Sequence, residues 1–112
     1  MGPSDLFAMW VDALRSGNYL QCHGDYALIE EDGTIHLCAL GVFMDVANRA
    51  GFGPFDPFDV TDSTLDGVSE LIESRWPSSV IADVIDWNDI LDLTFDQIAT
   101  SLEELRELEI IK

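Results

Sequence analysis

Twenty-two acidic residues against five basic ones leave this 112-residue chain with a formal charge of −17. Such an excess opposes compaction through self-repulsion. Only a sequence with a real apolar driving force folds under it. Apolar residues make up 47% of the chain, and its eleven aromatic side chains are spread along its length. Disordered acidic chains lack that apolar content. The expectation is one domain spanning residues 1–112, large enough for a modest core. The charge also excludes other polyanions, so direct binding to nucleic acid or to an anionic membrane is not expected, and a basic protein surface is the favoured partner. No apolar run reaches membrane-spanning length and no basic leader precedes one, which predicts a cytoplasmic protein. Two cysteines, Cys22 and Cys38, are too few for a disulfide scaffold and are read as thiols.

Apolar spacing supplies the elements. Leu6, Phe7, Trp10, Val11 and Leu14 recur at helical intervals, predicting a helix over 4–16 with Ser4 as cap and Gly17 as stop. YALIEEDGTIHLC, 26–38, predicts a β-hairpin with a two-residue turn at Asp32-Gly33, which sets Ala27 opposite Cys38. A buried helix follows over 40–50. GFGPFDPFDVTD, 51–62, is a loop whose Phe52, Phe55 and Phe58 either fold back on the core or form a contact patch. Helices are predicted over 63–75, ending near Trp76-Pro77, and over 78–89. A last helix runs from the capping box Thr94-Phe95-Asp96-Gln97 to about Leu108. The fold class is α+β, four to five helices around a small antiparallel hairpin or sheet.

DSTLDGVSELIE, 62–73, resembles a calcium-binding loop, with Asp62, Thr64, Asp66, Gly67 and Glu73 near ligand and turn positions. Three features oppose that reading. The preceding segment is proline-rich, Ser69 replaces the expected apolar residue, and Leu65, Val68, Leu71 and Ile72 form a helix face. A helix capped at Ser63 with Asp66 is expected instead. Cys22-His23 with His36 and Cys38 has the residue types for zinc but poor spacing. A catalytic cysteine needs an electropositive setting that this chain hardly offers. No phosphate loop, nucleophile elbow or HExxH helix is present. No cofactor or metal is implied and no enzymatic activity is expected, with a small metal-binding protein or enzyme as the third reading.

The acids are concentrated after residue 53, where 15 face 3 bases. Asp83, Asp86, Asp89, Asp92 and Asp96 recur every three or four residues, and Glu103, Glu104, Glu107 and Glu109 continue the series. Neighbours at that spacing share a helix face. A rigid row of carboxylates imitates a phosphate backbone, which carries about one charge per 1.7 Å of duplex axis. The expected binding residues are Asp83, Asp86, Asp89 and Asp92, with Asp56, Asp59, Asp62 and Asp66 as a second cluster. The partner is a basic nucleic-acid-binding protein. The alternative is an interaction or structural module whose acidity serves solubility or halophily; 14 of the acids are Asp.

The strings Trp10-Val11-x-Ala13-Leu14-Arg15-Ser16-Gly17-x-Tyr19-x-Gln21, Cys38-Ala39-Leu40-Gly41-Val42 with Asp45 and Ala47, Trp87-Asn88-Asp89, and Thr94-Phe95-x-x-Ile98-Ala99 occur in that order. They resemble a family of small bacteriophage and bacterial proteins of unknown function. That family usually has two adjacent cysteines in its middle motif, where this chain has Ala39. The resemblance brings no catalytic residue. It implies a phage origin, action in the host cytoplasm, and by class analogy an inhibitor of CRISPR or restriction machinery.

Overall fold

The computed structural model describes residues 5–52, 54–73 and 79–107. Five helices, α1 (Asp5–Arg15), α2 (Ala39–Arg49), α3 (Asp62–Glu73), α4 (Ser79–Asp89) and α5 (Phe95–Glu107), surround a small sheet of β1 (Leu20–Gln21), β2 (Ala27–Ile29) and β3 (Ile35–Leu37). The architecture is α+β. The predicted Ser4 cap, the Trp76-Pro77 stop and the end at Leu108 lie outside the described residues.

α2 is the axis of the core. Ala39, Leu40, Val42, Phe43, Met44, Val46 and Ala47 are all buried, and α1 and α4 pack on it. Phe43 meets Trp10 of α1 edge to face, ring centres 4.9 Å apart. Trp10 also donates its indole N–H to the Ala39 carbonyl at 3.1 Å, so the ring is satisfied where it is buried. α5 closes the other side of α1 with Ile98, Ala99 and Leu102.

The sheet differs from the expected hairpin in two ways. First, β1 pairs parallel with β3, Gln21 opposite Leu37, giving a mixed sheet of order β1-β3-β2. A two-residue strand has no period to detect. Second, the hairpin closes through three residues. Gly33 donates to the Glu30 carbonyl, Glu30 donates to Thr34, and Gly33 holds φ at +87°. This is a type I turn followed by a glycine bulge, not the two-residue turn. The register therefore slips by one, and Ala27 faces Leu37 rather than Cys38.

DSTLDGVSELIE is the whole of α3. Its cap is Thr61, not the expected Ser63: the Thr61 hydroxyl accepts the Thr64 amide, and the Thr64 hydroxyl accepts the Thr61 amide. Leu65 donates to the Thr61 carbonyl, so the helix has begun by Asp62 and Ser63 lies inside it, where no cap is needed. Thr94 and Gln97 form the predicted box at α5. No helix among the described residues is long and apolar enough to cross a membrane.

Candidate functional site

The second acidic cluster begins in the loop before α3 and continues along that helix. Val68 and Ile72 face the core, so Asp62, Asp66 and Glu70, four residues apart, are turned to solvent. Each step along that row rises about 6 Å. Asp56 and Asp59 are exposed just upstream, and the Asp56 carboxylate accepts the Phe58 amide to tighten the loop. α3 packs against α4, which carries Asp83, half-buried, and Asp86, exposed. Among the described residues none of Asp56, Asp59, Asp62, Asp66, Asp83 and Asp86 forms an ion pair.

The row from Asp83 to Asp96 is not one helical stripe. α4 ends at Asp89, and Asp92 turns the chain with a left-handed φ of +53°. An aspartate tolerates that conformation better than most residues. Asp92 lies 3.5 Å from His23, and Asp96 lies 3.9 Å from Arg15. The Asp89 carboxylate accepts the Gly24 amide at 3.0 Å and the Asn88 side-chain amide at 2.7 Å. Its first task is internal. Between Asp89 and Asp92 the apolar side chains of Ile90 and Leu91 project into solvent.

Arg15 and Arg49 are already engaged. Arg15 of α1 pairs with Glu103 and donates to Thr100 on α5. Arg49 pairs with Asp45 at 3.1 Å, and Asp45 also accepts the Tyr19 hydroxyl. Burial and the Asp45 carboxylate push the Tyr19 phenol up to about 12.

Sequence reading placed Asn88 in the predicted 78–89 helix but missed that it is a buried centre. Asn88 is 1% exposed and belongs to α4. Its oxygen accepts the Gln21 side chain at 2.9 Å and the Ala39 amide at 3.1 Å. Its amide nitrogen donates to the Cys22 carbonyl at 2.9 Å, and its backbone carbonyl accepts His23 Nδ1–H at 2.6 Å. Gln21 also donates to the Leu93 carbonyl. One side chain thus ties α4 to β1 and to the first turn of α2. Three of the four residue strings supply members of this centre, Gln21, Ala39 and Asn88, which was the available signal. Distance in the chain, 49 residues between Ala39 and Asn88, hid it.

The thiols flank this centre. Cys38 caps α2, its sulfur accepting the Gly41 amide at 3.3 Å, and Cys22 donates to the Asp25 carbonyl. Burial pushes the Cys38 thiol up to about 11 and Cys22 upward as well, the reverse of an activated nucleophile. A cleft of about 110 Å³ beside Cys38, Tyr26 and Asn88 has room for little more than solvent. His36 points across to Glu30 at 3.2 Å, outside hydrogen-bond geometry. Among the described residues no group of three or more His, Cys, Asp or Glu is placed to hold a metal.

A larger groove lies between the hairpin and the 54–58 loop, about 470 Å³ in volume, with Phe55 in its lining. Phe55 packs partly into the core beside Gly67, while Phe52 and Phe58 are 41% and 48% exposed. Phe55 thus folds back on the core as expected, while Phe52 and Phe58 stay partly exposed. No protein-family model matches the chain, and neither does a curated protein or a solved structure.

Proposed function

We propose that this chain is a non-enzymatic acidic binding protein that covers a basic nucleic-acid-binding surface, in the class of phage inhibitors of CRISPR or restriction machinery. One observation carries the reading. Asp56, Asp59, Asp62, Asp66, Asp83 and Asp86 sit on one loop and two packed helices without an ion-pair partner among the described residues, while Arg15 and Arg49 pair with other acids. Carboxylates at four-residue spacing weaken a helix slightly. Their accumulation on α3 therefore serves something other than the helix. A surface of this sign steers itself toward Lys and Arg and competes with phosphates for them. A single row, with one charge per roughly 6 Å of helix axis, is sparser than duplex DNA, so the α3 and α4 acids must act together.

The test is capture of a nucleic-acid-binding protein from bacterial lysate, with and without excess duplex DNA, followed by a salt gradient. Binding lost to DNA and over a steep salt range is expected. Asp83→Lys with Asp86→Lys abolishes that binding and leaves the fold intact. Unchanged affinity in the double variant, or no competition by DNA, returns the acidity to a solubility role.

A further inference from the structure

The groove beside the hairpin supplies what charge alone lacks, a place for apolar anchors. We infer that it seats a short segment of the proposed partner in which apolar side chains alternate with Lys or Arg; this rests on the binding role proposed above. Its wall is formed by Tyr19, Ile35, Leu37, Phe55, Pro57 and Phe58. A volume of about 470 Å³ lies in the range of ordinary ligand sites. Ile35 and Phe58 are each about half exposed, a state that a partner's apolar side chains would relieve.

The groove does not stop there. At Asn18, Tyr19 and Arg49 it meets a second depression of about 520 Å³ along α1 and α2, lined by Met9, Ala13 and Val46. Two adjoining depressions suit an extended chain better than a compact small molecule. Its rim is acidic. Asp45 and Asp56 border the first part and Asp12 the second, against Arg49, which is itself paired with Asp45. An apolar floor with an acidic rim selects apolar residues flanked by bases and disfavours an acidic segment. The groove also runs directly into the acidic loop, since Phe55, Asp56 and Phe58 belong to both.

The experiment is an amide-resonance titration of the ¹⁵N-labelled chain with three short synthetic peptides. One alternates Leu with Lys and Arg, one replaces the bases by Glu, and one replaces Leu by Ser. The first should shift Tyr19, Ile35, Leu37 and Phe58. Ile35→Ser or Phe58→Ser, both at exposed positions, should weaken it about tenfold or more with the remaining spectrum unchanged. The inference is overturned if no peptide binds, if the Ser peptide binds as well as the Leu peptide, or if shifts stay on α3 and α4. Failure of the nucleic-acid-mimic reading looks different: the Leu peptide still fills the groove, while duplex DNA leaves lysate capture untouched.

Discussion

The side-chain oxygen of Asn88 accepts the backbone amide of Ala39 at 3.1 Å, joining the end of α4 to the start of the central helix. Asn88→Ala leaves that amide and the Cys22 carbonyl without this partner, and the Gln21 side chain with the Leu93 carbonyl alone. Each such loss in a buried setting costs about 1–3 kcal/mol. A fall in stability of about 3 kcal/mol or more by urea denaturation is expected. Asn88→Asp should be no milder, because a second oxygen would face the Cys22 carbonyl and the Asp89 carboxylate.

Two glycines give contrasting predictions. A Cβ on Gly41 would lie 2.4 Å from the Tyr26 carbonyl oxygen, which accepts the Cys38 amide. Backbone cannot swing aside, so Gly41→Ala should cost about 1–3 kcal/mol. A Cβ on Gly67 would lie 2.9 Å from the edge of the Phe55 ring. The ring can turn, and the helix gains about 1 kcal/mol from alanine. Gly67→Ala should therefore leave the urea midpoint nearly unchanged yet move the Phe55 resonances that report on the groove.

Alkaline titration should weaken the fold. Tyr19 is pushed from 10.0 up to about 12 and Cys38 from 9.0 to about 11. In these windows the unfolded chain has lost protons that the folded chain still holds, so stability falls as pH rises. The contribution is complete below pH 9 and is lost through pH 11 for Cys38 and 12 for Tyr19. Urea midpoints across this range should decline, and the decline should be shallower in Cys38→Ala. A flat profile would contradict the buried placement of the thiol.

Salt should stabilise the chain. Raising it from about 0.01 M to about 1 M shortens the screening length from about 30 Å to about 3 Å. Repulsion among the carboxylates that no described cation pairs then falls more than the ion pairs among the described residues lose. The melting temperature should rise, by about 4–8 °C for each kcal/mol relieved. A fall on adding salt would mean that the ion pairs of Arg15 and Arg49 outweigh the repulsion.

The helices were legible in the sequence because apolar spacing and end signals agreed: Leu6, Trp10 and Leu14 mark one, Thr94 and Gln97 another. DSTLDGVSELIE was decided the same way, by Val68 and Ile72 at helical spacing. Legibility failed where a feature depends on distant residues. β1 exists only because β3 is beside it, and the hairpin register turned on one glycine adopting φ +87° at the end of a three-residue loop. The acids themselves were visible. Their division was not, because only the fold shows that Asp89 is held by Gly24 and Asn88 while Asp62 and Asp66 are held by no described cation.

Asn88 and the helix it anchors separate two kinds of position in this chain. A change at Asn88, Gly41 or Trp10 is felt through several elements at once. A change at Asp59, Asp62, Asp66 or Asp86 disturbs no core packing, since those side chains are exposed. The outer face can therefore be rewritten one residue at a time at little cost to folding. Under the binding role proposed above, that is a surface free to drift while its scaffold stays fixed.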